Sequence, residues 1–236
     1  EFRRVLFRSA DLNRLMDGTF SNQEAGMPEG TVHSELLRRP GKLYVLASHF
    51  HPDHFNKEVL QWREQRPDII YIFSKDILRH RRAQKEDAVW LKKGEEYKDE
   101  TLSVRAFGST DVGVSFLLQA GGKKIFHAGD LNNWHWMDES TEAEWKGAEK
   151  NFLHELDDLY AYTPEVDVAM FPVDPRLGKE YMRGAGQFVT KIKTHIFVPM
   201  HFTPEYAKAN AFRDFAEAHG VRFVSLTHRG QKIEIE

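Results

Sequence analysis

The chain has no cysteine among its 236 residues. That absence removes disulfides, zinc–thiolate structural sites and thiol nucleophiles together, and it suits a reducing, cytoplasmic setting. There is no apolar run near the roughly 20 residues that a membrane helix requires and no signal-peptide core, so no membrane partner is expected. Charge is nearly balanced at −3. No basic stripe interleaved with aromatic residues stands out, so nucleic acid is not an expected partner, whereas a small anionic substrate is. What the chain has in quantity is apolar residues, 41% of the total, enough for the core of one α/β domain.

The chemistry is concentrated in one stretch. The apolar run Leu43-Tyr44-Val45-Leu46-Ala47 reads as a buried strand, and Ser48-His49-Phe50-His51-Pro52-Asp53-His54-Phe55 follows at once. Ligand sites in α/β folds gather where such strands end. His49 and His51, two apart on extended backbone, point the same way and can grip one ion. Pro52 ends regular pairing, so Asp53 and His54 can turn to a second ion close by. The competing reading is a solvated polar loop, but ligand chemistry this dense seldom gathers without a metal.

His-x-His-x-Asp-His resembles the first metal motif of the metallo-β-lactamase-fold hydrolases. Over roughly residues 41–236 the chain is similar to the branch near the bacterial ascorbate-6-phosphate lactonases. The resemblance implies an αββα four-layer sandwich with the site between its two sheets. It also implies two later ligands. Ile125-Phe126-His127-Ala128-Gly129-Asp130 is similar to the strand that ends in Gly-Asp, with Asp130 bridging two ions through its two oxygens. His201, closing Phe197-Val198-Pro199-Met200-His201, stands where the last histidine ligand sits. One position departs from the pattern: Gly108-Ser109-Thr110-Asp111 carries Ser109 where a histidine is the rule. Asp111 could supply an oxygen instead if the loop bends; the alternatives are a turn-capping Asp111, a water ligand or a weak first site.

Residues 1–9 look like the translation of a sequencing adaptor, and residues 10–40, rich in Gly and Pro, read mostly as irregular loop. If the native opening strands are missing, an exposed sheet edge invites a homo-oligomer. Downstream, short helices are expected at 56–66 and 75–88, with His80 facing solvent, and strands at 69–73, 101–107, 114–119 and 124–128. A helix from Ser140 to about Tyr162 should present Phe152, Leu153, Leu156 and Leu159, with His154 beside the stripe and given no special role. Strands at 166–171 and 196–200 flank a helix at 185–193. An amphipathic helix over 204–219, with Phe215 facing in, precedes strands at 221–226 and 232–235. Asn132, Asn133 and His135, in a loop with Trp134 and Trp136, read as a substrate wall. His127 is a substrate contact or a donor to the ligands, against the alternative of a simple buried histidine. Asp174 and Arg176, in a Pro-stiffened loop, suit an anion site with Arg176 on the anion and Asp174 orienting it, against the alternative of a local ion pair.

The reading is a metal-dependent hydrolase. His49, His51 and Asp130 hold the first of two divalent ions, and Asp53, His54, His201 and Asp130 the second. A hydroxide generated on the ions attacks an ester-type bond, Asp53 orienting it, with a phosphorylated lactone or phosphodiester favoured. Histidine donors favour zinc; the carboxylates leave manganese or iron open. The bridging ligand of β-lactam hydrolysis would be cysteine, so that substrate is not expected. Two alternatives are a truncated scaffold without turnover and a diiron oxidoreductase of the same fold, whose motif carries Glu where this chain has His51.

Overall fold

The computed structural model describes residues 5–6, 37–38, 40–202, 205–228 and 231. The elements that position the site are β1 (Val5–Leu6), β2 (Tyr44–Ala47), α1 (Glu58–Gln61), β3 (Ile70–Ser74), α2 (Lys75–Arg79) and β4 (Val89–Leu91) in the first half. There follow β5 (Glu96–Lys98), β6 (Ser103–Phe107), β7 (Ser115–Ala120), β8 (Lys123–His127), α3 (Glu142–Tyr162) and β9 (Glu165–Pro172). The chain continues through α4 (Arg183–Lys191), β10 (Lys193–Met200), α5 (Tyr206–Asn210), α6 (Arg213–Ala218) and β11 (Arg222–Phe223). Strands β1 to β4 form a parallel sheet in that order, and β11-β10-β9-β8-β7-β6-β5 form a larger mixed one.

Strand alternation explains the layering. Tyr44, Leu46 and Ile72 point from the small sheet into a cluster with Val104, Ala106, Phe116 and Leu118 of the large one. The other face of the small sheet, Val45, Ala47, Tyr71 and Phe73, is covered by Phe55, Val59 and Ile77 of the helical side. The outer face of the large sheet carries Leu117, Phe126, Phe171 and Phe197 under Phe152, Leu156, Phe188 and Phe212. Strands buried on both faces must be apolar at every position, and β2 is. Helix, sheet, sheet, helix is the αββα sandwich.

The hairpin β7–β8 turns through Ala120-Gly121-Gly122-Lys123 in the expected register, with both glycines at positive φ. Several boundaries differ from the sequence expectation. The helix over 75–88 stops at Arg79, because Arg81 turns left-handed at φ 55° and the chain passes into a 3-10 turn at Lys85–Asp87. Thr141, not Ser140, caps α3, pairing with Glu144 in a capping box. The helix expected over 204–219 is two short ones, α5 and α6, and Phe215 is 42% exposed rather than inward. Strand β11 spans only Arg222–Phe223. Most of the segment 10–40 and the strand expected at 232–235 lie outside the described residues. Val5–Leu6, set aside as adaptor, pairs in parallel with Tyr44–Val45 at the edge of the small sheet.

Candidate metal centre

β2 ends at Ala47, so His49 and His51 sit on the loop beyond it and not on the strand itself. Their convergence comes from a tight turn, in which His54 N and Phe55 N both donate to the His51 carbonyl at 2.9 and 2.8 Å. Asp76, at the start of α2, accepts from Phe50 N at 2.9 Å and ties the loop from below. The ring centroids of His49 and His54 stand 3.9 Å apart, and those of His49 and His51 4.8 Å.

Asp130 arrives from the end of the large sheet through Gly129, whose φ of 56° turns the chain. His201 arrives from the end of β10, itself at φ 62°. A β-unbranched but bulky residue held left-handed is uncommon, and such backbone gathers at functional sites. The result is a convergence on one carboxylate. His49 Nε2 lies 3.2 Å from Asp130 Oδ2, His54 Nε2 lies 3.1 Å from Oδ1, and His201 Nε2 lies 3.4 Å from the same Oδ1. All four groups are buried.

Close as they are, these contacts lack hydrogen-bond alignment at three atoms. His49 Nε2, His54 Nε2 and Asp130 Oδ1 are buried without a hydrogen-bond partner. Buried polar atoms in that state require an explanation, and a cation supplies it. Donors held about 2.0–2.2 Å from a four-coordinate ion stand about 3.3–3.6 Å apart, close to the separations seen here. The donor set fits a divalent metal. Three groups could each hold an ion: His49, His51 and Asp130; His54, Asp130 and His201; and His49, Asp53 and His54. Asp53 thus groups with His49 and His54 rather than with His201, its Oδ2 lying 3.6 Å from His54 Nε2. Asp111 is exposed, 3.8 Å from His51 Nδ1, and joins none of these groups.

The electrostatics follow from burial and proximity. Burial pushes the Asp130 carboxyl up, but the imidazoles of His201, His49 and His54 outweigh it and hold it below its ordinary value. Burial opposes charge on His201, yet Asp130 and Asp174 on either side raise it to about 10. His127 goes the other way: full burial, with the neighbouring His54 adding, lowers it to about 3, so it is neutral at pH 7. Its Nδ1 accepts from Gly129 N at 3.1 Å, which steadies the turn carrying Asp130.

The remaining expected site residues divide. Asp174 is fully buried and its Oδ2 takes His201 Nδ1 at 2.9 Å, while Arg176 Nε reaches both its oxygens at 3.0 Å. Asp174 thus holds the Arg176 guanidinium and the His201 ring at once. Arg176 keeps a 54% exposed side chain beside His201. The substrate wall is corrected at three positions. Asn133 points away from the site, donating from Nδ2 to Glu149 Oε1 at 3.3 Å and Gln187 Oε1 at 2.9 Å. Asn132 is fully buried, its Oδ1 accepting from Asn133 N at 2.9 Å. His135 is spent on backbone, with Glu180 O at 3.1 Å and Met137 N at 3.1 Å. Short amide and imidazole side chains bond neighbouring backbone readily, and here they brace the loop. The aromatic half of the loop does reach the site. Trp134 donates to Asp130 O at 2.8 Å and stands edge-on to His201 at 5.4 Å, with Trp136 stacked behind it at 6.4 Å.

Histidine and aspartate donors delivered by strand-end loops, beside the junction of two sheets in an αββα sandwich, define a metallo-β-lactamase-type fold with a candidate metal centre. Residues 31–202 match the Beta-lactamase superfamily domain. The chain belongs to that family. Among solved structures it is similar to Igni18, a metallo hydrolase from the archaeon Ignicoccus hospitalis, at 16% identity over 79% of this chain and 76% of that one, TM-score 0.54. It is also similar to Zn(2+)-bound PqqB from Methylobacterium extorquens, at 15% identity, covering 88% and 82%, TM-score 0.50. A third likeness is to CmlA, a diiron β-hydroxylase from Streptomyces venezuelae, at 14% identity over 80% of this chain but 44% of that one, TM-score 0.53. At these identities the likeness shows the fold alone. No curated protein matches the chain in sequence. Among the described residues, no helix is long and apolar enough to cross a membrane.

Proposed function

We propose that the chain is a dinuclear, metal-dependent hydrolase of a small anionic ester, a phosphorylated lactone or a phosphodiester. The observation that carries this reading is the convergence of His49, His54 and His201 Nε2 on the two oxygens of Asp130, with three of the buried donor atoms lacking a hydrogen bond. Divalent cations bound there, zinc by the donor chemistry, supply an acidified water and the electrophilic pull that ester hydrolysis needs. The chain's own residues do the rest. Asp53, part-exposed beside His54, accepts the proton of the attacking water and returns it to the leaving oxygen. The exposed end of Arg176 faces the anionic group of the substrate, with a planar fork suited to phosphate or carboxylate. Trp134 and Trp136 give an apolar wall that screens water on the His201 side.

The test is elemental mass spectrometry on purified protein, followed by hydrolysis of bis(p-nitrophenyl) phosphate and of a phosphorylated lactone. Two equivalents of metal, activity abolished by chelator and restored by zinc or manganese are the expected results. Hydrolysis that survives exhaustive chelation refutes the reading. A second reading, a scaffold without turnover, is favoured by Ser109 at the expected histidine position and by Asp111 standing outside the donor groups. It expects at most one equivalent.

A further inference from the structure

The ligand histidines share a partner that the metal motif does not advertise. Ser48 is buried, with its Oγ 3.0 Å from His49 Nδ1 and 3.3 Å from His54 Nδ1. The opposite nitrogen of each ring, Nε2, faces Asp130 without hydrogen-bond alignment. A neutral imidazole has one N–H and one lone pair. If Nε2 carries the lone pair toward a cation, Nδ1 must carry the hydrogen in both rings. A hydroxyl oxygen has two lone pairs, enough to accept both.

From this we propose that Ser48 is a positioning residue for both ions: its one oxygen accepts from His49 and His54 together and fixes both as Nε2 donors. The inference rests on the proposed dinuclear centre, in which His49 belongs to the first ion and His54 to the second. Geometry keeps the oxygen in place. A Cβ at Gly113 would lie 2.1 Å from the Ser48 carbonyl and 2.4 Å from His49 Cβ; one at Gly129 would lie 2.9 Å from Ser48 Cβ and 3.2 Å from its Oγ. Val114 N donates to the same carbonyl at 3.0 Å. Gly113 thus lies close against the Ser48 backbone and Gly129 close against its side chain. Partners that orient metal-bound histidines commonly change metal affinity by about 10–100-fold when removed. What is particular here is that one hydroxyl serves two ions.

Ser48→Ala should therefore weaken both sites together by about 10-fold or more each, whereas His51→Ala should weaken only the first. Zinc alone is the probe, titrated into chelator-stripped protein against a chromophoric competitor, with apo thermal unfolding recorded alongside. A purely structural serine would lower the apo melting temperature and leave both zinc affinities unchanged. That result overturns the assignment, as does a loss confined to one site. Independently of any variant, long-range proton–nitrogen correlation on histidine-labelled, zinc-loaded wild type should show Nδ1–H at His49 and His54; Nε2–H at either overturns it. Wild-type protein that takes up no zinc overturns the dinuclear centre and Ser48's role with it.

Discussion

Replacing Asp174 by Ala probes the support beneath His201 without touching the donors themselves. The carboxylate is fully buried, bonded to His201 Nδ1 at 2.9 Å and to Arg176 through two 3.0 Å contacts. Its charge is stabilised there, since His201 and Arg176 outweigh the effect of burial and lower its pKa to about 2. Losing a charge-assisted hydrogen bond of this kind costs about 1.5–3 kcal/mol. Arg176 is half in solvent, so its own contact adds little. For a chain of this size, with about 2–4 °C of melting temperature per kcal/mol, the apo protein should melt roughly 3–12 °C lower. Metal binding should suffer where His201 belongs and nowhere else. With its ring no longer held, the second site should weaken by about 10–100-fold, or about 1.4–2.7 kcal/mol, while the first keeps its affinity. Asp174→Asn, which retains an oxygen acceptor for Nδ1, should recover most of the affinity. The assays are calorimetric unfolding of stripped protein and zinc titration. Equal weakening of both sites, or none, refutes the placement of Asp174 as His201's support.

Four further results are expected. Asp130→Asn removes the charge that three imidazoles face and should reduce metal content at both sites; full metal content by elemental analysis would contradict the bridging role. Asp111→Ala separates the accounts of Ser109: unchanged occupancy of the first site means that this exposed carboxylate is not a ligand. Gly113→Ala drives a Cβ against the Ser48 backbone at 2.1 Å from a φ of 76°, and should cost about 1–3 kcal/mol through overpacking and about 1–2 kcal/mol through backbone strain in a denaturant titration. Asp99 accepts from Tyr44 at 2.7 Å, Thr101 N at 2.8 Å and Leu102 N at 2.9 Å, and these donors hold its carboxyl far below its ordinary value against the opposing effect of burial. Its contribution is present above the unfolded pKa of about 4 and lost as pH falls below it, so Asp99→Asn should destabilise at pH 7 and converge on wild type in acid.

The metal motif was legible because it is local: residues 49–54 carry most of the ligand chemistry in one turn, and no alternative use of so many imidazoles presents itself. Asp130 and His201 were suggested only by the resemblance to the family's later motifs, since a lone Gly-Asp or a lone histidine at a strand end says little. The layers could be read from continuous apolar strands such as β2. What the sequence concealed is direction. Asn132, Asn133 and His135 look like binding residues by type, yet Asn133 is turned by Glu149 of α3 and Gln187 of α4, Asn132 by the Asn133 backbone, and His135 by the Glu180 carbonyl. Asp174 and Arg176 were found as a pair, but only the fold shows that the acid turns inward to a histidine. Ser48 had a signal, adjacency to the first histidine, though serine after a strand is too common to single out. The helix over 204–219 shows the limit of periodicity: its pattern is helical, and the break between α5 and α6 puts Phe215 outside.

The two sheets contribute the donors unequally in chain order. His49, His51, Asp53 and His54 hang from the small parallel sheet, while Asp130 and His201 hang from the large one. Two of the three donor groups draw on both halves, so their uptake of metal follows the docking of one sheet upon the other, late in folding and across a long loop of chain. Once docked, metal at about 1,000 times its dissociation constant adds about 4.1 kcal/mol to the folded state. The same ions that equip the site for chemistry would then act as a latch between halves of the molecule. In a cell short of metal, such a protein would lose resistance to unfolding and proteolysis together with its activity.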